Sequence, residues 1–176
     1  MGCDVAGSDI SVRAVEDTNA NLEWLRHGDS DLVDEARDEN IFQADATTYD
    51  FSTRFSGREV VIVTEPYLGK PKKNKVLKSQ IKQETEELKK LYLSFFRNIK
   101  QINKSGKLRV ICFVFPLVET IDAGSISLYT ECIDDLQNLG YNTLCTLGYG
   151  RDYQVVKREI VILTLQQPSN KKQVTN

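Results

Sequence analysis

The sequence predicts an α/β fold, a doubly wound sheet in which strands alternate with helices. Short β-branched apolar runs alternate along the chain with segments whose apolar residues recur at helical spacing. The strand runs stop abruptly at polar residues, as strands do where they lead into the ligand-binding loops of such a sheet. A chain of 176 residues with 40% hydrophobic residues is long enough to bury the core of one domain.

The first third of the chain contains two short predicted strands with a helix between them. Residues 5–7 form the first strand, and Ser11 can cap the helix that follows. Gly28 lies just beyond the last apolar position of this helix, where helices commonly stop. Residues 41–44 predict the second strand, which ends at Asp45.

Residues 60–64 predict a strand in the interior of a parallel sheet, because both faces of the run are apolar. Pro66 has no N–H for a ladder, so it ends the strand and stiffens a loop that also carries Glu65 and Tyr67. Ligands of open α/β sheets bind at such carboxyl ends, and an aromatic ring on a rigid backbone can stack on a planar base. The sequence therefore predicts a base-binding loop at residues 64–67.

The second half of the chain predicts two helical regions and three strands. The apolar face of a long helix, or of two helices end to end, extends over about residues 77–103. A strongly apolar strand follows at residues 109–115, and a second helix at residues 126–138. Residues 141–147 and 160–165 predict the last two strands, which can pair as a hairpin.

Composition and charge limit which ligands and which cellular compartment we expect for this protein. A net charge of −2 gives no overall attraction to nucleic acid, so any such binding must come from a local basic patch. The four cysteines lack the close spacing of a zinc site, and the sequence shows no secretory signal and no long apolar run. We therefore expect a cytoplasmic protein that requires no metal and binds no membrane. Residues 166–176 are polar and predict a disordered tail after a domain at residues 1–165.

The loop at residues 64–67 resembles the (Asp/Asn)-Pro-Pro-(Tyr/Phe) motif of S-adenosylmethionine-dependent methyltransferases that modify exocyclic amino groups of bases. With residues 7–10 and 14–25, the chain is similar to the tRNA guanosine-N2 methyltransferase family, whose members often carry an RNA-binding THUMP domain. The resemblance covers roughly residues 1–165 and implies a Rossmann-like methyltransferase sheet, mostly parallel with an antiparallel final strand. It implies S-adenosylmethionine as the cofactor and tRNA or another nucleic acid as the partner.

One part of the family's pattern is absent from this sequence. In the family, a segment similar to Asp-Pro-Phe-Cys-Gly-Ser-Gly follows a first strand that lies between the second and fourth strands. Residues 1–4 of this chain already precede the strand that corresponds to the family's second. We therefore expect an amino-terminally truncated domain, and an upstream segment or a partner chain that completes the sheet, since two apolar strand edges would otherwise be exposed.

The resemblance assigns the cofactor to the ends of the first two strands of this chain. Asp9 would accept hydrogen bonds from the ribose hydroxyls, as in dinucleotide-binding folds, and Ile10 would pack on the adenine. Asp45, next to Ala46, would accept a hydrogen bond from the adenine amino group. From the residues alone, each aspartate can also be a turn or capping residue.

The proposed catalytic loop departs from the family's motif because it has one proline instead of two. Either Thr64 stands where the family has Asp or Asn, with Glu65 in place of the first proline, or Glu65 is the acid and one proline is deleted. We favour Glu65 as the group that faces the amine, with Pro66 fixing the backbone and Tyr67 stacking on the base. A plain strand-ending turn is the alternative.

A basic cluster follows the loop directly and consists of Lys70, Lys72, Lys73 and Lys75. Such a cluster beside a base-binding loop can hold substrate phosphates, and it can equally be a solvated loop.

Three functions are compatible with these observations. The first is methyl transfer to an exocyclic amino group of a nucleic-acid base, most simply guanine N2 in tRNA. The second is the same chemistry on DNA adenine N6, and the third is a truncated, non-catalytic fragment that binds nucleic acid or a partner chain. Half of a nicotinamide-dependent dehydrogenase would share Asp9 but does not explain residues 64–69.

Overall fold

The computed structural model describes residues 4–28 and 40–166, without the side chains of residues 26–28. The chain divides into two compact units, Met1–Tyr49 and Asp50–Asn176. Apart from Gln166, the predicted polar tail lies outside the described residues.

The first unit contains two strands and a helix. Strand β1 (Gly7–Asp9) pairs in parallel with strand β2 (Ile41–Gln43). Helix α1 (Val12–Gly28) lies between them in the sequence, as a crossover connection between parallel strands requires. The hydroxyl of Ser11 accepts a hydrogen bond from the N–H of Ala14 at 3.3 Å, so the predicted helix cap is confirmed.

The second unit is built on one mixed sheet. Its strands are β3 (Glu59–Thr64), β4 (Lys107–Glu119), β5 (Ser125–Ser127), β6 (Tyr141–Tyr149) and β7 (Val156–Leu165). The order across the sheet is β3-β4-β7-β6, and β5 pairs with the end of β4. Strand β3 is parallel to β4, whereas β7 is antiparallel to both of its neighbours. Strands β3, β4 and β6 therefore run in the same direction, and the coarse α/β class is confirmed. The doubly wound, Rossmann-like arrangement with a missing first strand stays a prediction.

The helices of the second unit are α2 (Phe51–Arg54), α3 (Lys78–Ile99) and α4 (Leu128–Asn138). A short 3-10 segment, Lys100–Lys104, extends α3 towards β4. Helices α3 and α4 pack on one face of the sheet, and the residues between them and the strands are almost completely buried. These core residues include Ile81, Tyr92, Phe96, Ile99, Ile111, Phe113, Phe115, Cys132, Leu136, Tyr141, Val161 and Leu163.

An aromatic cluster forms the centre of this core. Phe96 of α3 has no exposed surface, and its ring centroid lies 4.8 Å from Phe113, 6.3 Å from Phe115 and 5.1 Å from Tyr141. The hydroxyl of Tyr141 donates a hydrogen bond to the backbone carbonyl of Phe96 at 2.6 Å. Burial raises the pKa of Tyr141 above its ordinary value, so the hydroxyl keeps the proton that it donates.

Strand β3 differs from its prediction as an interior strand with two buried faces. Val60 is buried, but Val61 is 62% exposed and Val63 is 77% exposed. In the described part of the chain β3 pairs with one strand, β4, and stands at the end of the sheet order. Successive side chains of a strand face opposite sides, so the face that carries Val60 is covered while the other face is open to solvent. Apolar residues on both faces favour the strand conformation, but they do not show that other elements cover both faces.

No helix among the described residues has both the length and the apolar composition needed to cross a bilayer.

Candidate active site

The loop at residues 64–67 begins where the predicted strand ends and is anchored to α3. Thr64 is the last residue of β3 and pairs with Phe113 of β4. Pro66 has no N–H to continue the ladder. The backbone carbonyl of Tyr67 accepts a hydrogen bond of 2.7 Å from the hydroxyl of Tyr92, a core residue that is 1% exposed. Burial raises the pKa of Tyr92, which keeps its hydroxyl protonated as a donor, so the backbone of the loop is tied to the rigid core.

Glu65 is held by a bidentate ion pair with Arg158 of β7. The Nε of Arg158 lies 3.2 Å from Oε1 and 3.1 Å from Oε2 of Glu65, and Nη2 lies 2.8 Å from Oε1. The hydrogen bond to the carboxylate raises the pKa of Arg158. A planar guanidinium fixes a carboxylate in orientation as well as in position. Each carboxylate oxygen has two lone pairs, so the pair orients Glu65 without using its full capacity to accept hydrogen bonds.

Tyr67 lies on the open side of this loop. Its side chain is 57% exposed, although its backbone carbonyl is anchored to the core. An exposed ring on a fixed backbone is the geometry that stacking on a planar base requires. The base-stacking role of Tyr67 stays a prediction.

Glu84 of α3 holds the chain that follows the loop. Its Oε1 accepts the N–H of Lys70 at 2.6 Å, and its Oε2 lies 2.5 Å from Nζ of Lys72. Gly69 has a φ of +94°, and a Cβ at this position would lie 2.8 Å from Oε1 of Glu84. Glycine is therefore favoured here by its conformation, and a side chain would in addition displace the carboxylate of Glu84. Burial of Glu84 opposes its ionisation, but the hydrogen bonds from Lys72 and from the N–H of Lys70 outweigh it and lower the pKa of the carboxyl group.

The four lysines predicted to bind phosphate have different environments. Lys72 is 12% exposed and pairs with Glu84, and Lys75 lies 3.5 Å from Glu119. Lys70 and Lys73 are exposed, and neither ammonium group has an ion pair within the described ranges. The structure thus places two of the four charges in intramolecular ion pairs. The phosphate-binding role of the cluster stays a prediction.

The predicted cofactor residues lie in the first unit, at the carboxyl ends of β1 and β2. Asp9 is exposed, and its Oδ1 accepts the N–H of Ser11 at 2.7 Å. The N–H of Ala44 donates to the backbone carbonyl of Asp9 at 2.9 Å, which joins the ends of the two strands. Ile10 is 66% exposed although it is apolar. An exposed carboxylate and an exposed apolar side chain are therefore adjacent at one strand end.

Asp45 stabilises the turn that follows β2. Its Oδ1 accepts hydrogen bonds from the hydroxyl of Thr47 at 2.6 Å and from the N–H of Thr47 at 2.8 Å. The same two hydrogen bonds, with the hydroxyl first, lower the pKa of Asp45 and keep it ionised. Ala46 follows within this turn, half-buried. The cofactor roles of the two aspartates, Ile10 and Ala46 stay predictions.

Replacing Glu84 with glutamine is expected to lower the free energy of unfolding by about 1–3 kcal/mol at neutral pH, because a charge-assisted contact and its ion pair are lost. The folded-state pKa of Glu84 lies below its ordinary value of 4.5, so its stabilisation is complete above pH 4.5 and is lost as the pH falls through the lower folded value. The substitution should therefore reduce the acid dependence of stability. Urea titrations at several pH values measure both effects.

The matched control is Glu87→Gln, because Glu87 is an exposed residue of the same helix. Equal losses for the two variants would contradict the role assigned to Glu84.

Comparison with known proteins leaves the family open. No family model matches the chain, and no curated protein matches it. Among solved structures, the chain is similar to a candidate DNA modification methylase of Thermus thermophilus, with 12% identity and a TM-score of 0.40. The match covers 72% of this chain and 54% of the other, so the chain spans about half the length of that protein. A similarity at this level does not decide the activity.

Proposed function

We propose that the chain is an S-adenosylmethionine-dependent methyltransferase that acts on an exocyclic amino group of a nucleic-acid base. The observation that carries the proposal is the antiparallel final strand β7, which lies between β4 and β6 in the sheet that also holds the loop at residues 64–67. An antiparallel final strand is what the resemblance to these methyltransferases implies. The loop stands at the carboxyl end of a strand, where ligands of α/β sheets bind.

The residues at the ends of β1 and β2 fit the cofactor in chemical type. The exposed carboxylate of Asp9 is suited to accept hydrogen bonds from ribose hydroxyls, and the exposed side chain of Ile10 offers an apolar surface for adenine. The ionised carboxylate of Asp45 is an acceptor for an adenine amino group. S-Adenosylmethionine, when bound, supplies a sulfonium methyl group that can be transferred to nitrogen.

The loop residues would prepare the amine for that transfer. The lone pair of an exocyclic amine is delocalised into the base, and hydrogen bonds from its N–H groups to acceptors make the nitrogen more nucleophilic. The carboxylate of Glu65, oriented by Arg158, would accept one such bond. Pro66 would fix the neighbouring backbone carbonyl as a second acceptor, and Tyr67 would stack on the base. No covalent intermediate with the chain is required.

We propose guanine N2 in tRNA as the substrate, because the resemblance is closest to the tRNA guanosine-N2 methyltransferase family. DNA adenine N6 is the alternative substrate for the same loop chemistry. A second candidate function is a fragment that binds nucleic acid or a partner chain without catalysis. The exposure of Val61 and Val63 favours the partner chain, because another polypeptide would cover such apolar surface.

Calorimetric titration of S-adenosylmethionine into the full chain tests the proposal. We expect saturable binding that Asp9→Ala weakens by tenfold or more, since loss of hydrogen bonds to a charged acceptor costs about 1.5–3 kcal/mol. The matched control is Asp17→Ala, which removes an exposed carboxylate of α1 that pairs with Arg13 at 3.6 Å. Absence of binding by the folded wild-type chain, or equal affinity of the Asp9 variant, would contradict the proposal.

A further inference from the structure

Three exposed tyrosines lie at the carboxyl edge of the sheet in the second unit. Strands β3, β4 and β6 run in the same direction, so their carboxyl ends share this edge with the hairpin that joins β6 to β7. Tyr67 follows β3, Tyr149 ends β6 and Tyr153 lies in the hairpin. They are 57%, 59% and 73% exposed, respectively. We call these three residues the tyrosine rim.

Arg158 links the two ends of the tyrosine rim. In the β6–β7 ladder it lies directly opposite Tyr149, and its guanidinium binds the carboxylate of Glu65, two residues before Tyr67. Three interstrand steps separate β3 from β6, which places the two strands about 14 Å apart. The rings are thus spread along one edge, with Arg158 between them, and are not scattered over the surface.

The tip of the hairpin is ordered by its own hydrogen bonds. The N–H of Arg151 donates to Oε1 of Gln154 at 2.9 Å, and the N–H of Gln154 donates to the carbonyl of Arg151 at 2.9 Å. Nη1 of Arg151 donates to the hydroxyl of Tyr153 at 2.6 Å, with the guanidinium carbon 5.9 Å from the ring centroid. Tyr153 is therefore held in place while most of its ring faces solvent, so little conformational entropy remains to be lost on binding.

The charges along this edge favour an anion. Glu65 is paired with Arg158, and Glu119 lies 3.1 Å from Lys157 and 3.5 Å from Lys75. Hydrogen bonds from Ser125 and Lys157 hold the pKa of Glu119 below its ordinary value, so this acid stays paired.

Three cations along the edge have no ion pair within the described ranges, namely Lys70, Lys73 and Arg151. Asp152 of the hairpin tip and Asp122 of the loop between β4 and β5 oppose them, whereas Lys75 and Lys157 share the single carboxylate of Glu119. The edge therefore keeps a small positive surplus on a chain whose net charge is −2.

We propose that the tyrosine rim binds a single-stranded segment of nucleic acid. Rings spaced along a cationic edge can stack on successive unpaired bases while lysine and arginine contact the phosphates. The faces of bases in a duplex are covered by their neighbours, so this surface selects single strands. That the bound segment flanks the base received by the loop at residues 64–67 rests on the proposed function, whereas the binding itself does not.

Fluorescence anisotropy of a labelled, unstructured RNA with the full chain, without S-adenosylmethionine, tests the proposal. We expect Tyr149→Ala and Tyr153→Ala each to weaken binding by about fivefold or more, since the loss of one stacked base has an effect of this order. Tyr153→Phe keeps the ring but loses the hydrogen bond from Arg151, so it should bind more tightly than Tyr153→Ala and slightly more weakly than the wild type. Arg151→Ala should weaken binding and reduce its dependence on salt concentration. The matched control is Trp24→Ala, because Trp24 is also 73% exposed but lies in the first unit.

Single-stranded DNA of the same sequence, the corresponding duplex and polyglutamate complete the experiment. Binding of either single strand, with loss in the tyrosine variants, supports the tyrosine rim, and the comparison of RNA with DNA shows whether the sugar matters. Equal binding of the duplex or polyglutamate, or unchanged affinity in both tyrosine variants, would overturn it. The variants replace exposed side chains, so their thermal unfolding should match that of the wild type. Measuring it confirms that they fold.

The result of this binding experiment can be distinguished from the result of the test of methyltransferase activity. Loss of RNA binding in the variants of a chain that transfers no methyl group would support the tyrosine rim and reject the methyltransferase. Methyl transfer to RNA, with the KM for RNA unchanged in the tyrosine variants, would support the methyltransferase and reject the tyrosine rim.

Discussion

Replacing Arg158 with alanine is expected to reduce kcat for methyl transfer by about 100-fold, because misplacement of a reacting group by about 1 Å has an effect of this size. Under the proposed function Arg158 would be a positioning residue, since its guanidinium binds both carboxylate oxygens of Glu65. Without it, Glu65 can rotate freely on an exposed loop. KM for the cofactor should stay the same, because the predicted cofactor residues lie in the other unit.

Arg158→Lys separates charge from geometry. A lysine keeps the positive charge but cannot bind both carboxylate oxygens in one plane, so it should restore only part of the lost activity. The thermal stability of both variants serves as a control, because Arg158 is partly exposed and exposed ion pairs contribute little to folding. Full activity of Arg158→Ala, or a loss of activity that only follows a loss of folded protein, would contradict the positioning role.

Replacing Phe96 with alanine should lower the free energy of unfolding by about 3–5 kcal/mol, a large part of the stability of an ordinary domain. The ring has no exposed surface and lies at the centre of the aromatic cluster formed with Phe113, Phe115 and Tyr141. Its removal would leave a cavity among rigid rings that cannot collapse to fill it. Equilibrium unfolding in urea measures the loss.

Phe95→Ala is the matched control for Phe96, because it removes the same side chain from the neighbouring position of α3. Phe95 is half-buried and contacts Phe113 at a centroid distance of 5.5 Å, so its loss should be clearly smaller. Equal losses for the two variants would show that the aromatic cluster is not the centre of the core.

Local patterns predicted most of the secondary structure because their causes lie close together in the sequence. The cap at Ser11, the strand that stops before Pro66 and the long apolar face of α3 each depend on residues within a few positions of one another. The four-residue helix α2 and the three-residue strand β5 were not predicted, because neither contains an apolar run like the one that predicts the equally short β2.

The burial of the side chains of a strand could not be predicted from such local patterns. The apolar run of β3 predicted burial on both sides, whereas Val63 is 77% exposed. Cys145, which lies within the strand predicted at residues 141–147, is exposed in β6. The hydrophobicity of a side chain indicates that burial would be favourable for it. Whether the side chain is in fact buried depends on which elements pack on each face of the sheet.

The candidate site was predicted in its residue types but not in its contacts. The sequence motif identified Glu65 and Tyr67, whereas Arg158 is 93 positions away from Glu65 and Glu84 is 12 positions away from Lys72. No periodic signal connects residues so far apart. A search for acids able to pair with the lysine cluster would have suggested Glu84 and Glu119 among several candidates, but only the fold selects them.

Transfer of a labelled methyl group from S-adenosylmethionine to nucleic acid, catalysed by the full wild-type chain, tests the central claim most directly. We expect label in tRNA, in a nucleoside that comigrates with N2-methylguanosine, and loss of the label with Glu65→Ala. Label in adenine N6 of DNA instead would keep the loop chemistry and correct the substrate. No transfer to tRNA or DNA by folded protein that binds the cofactor would contradict the assignment of the loop at residues 64–67 as a catalytic site.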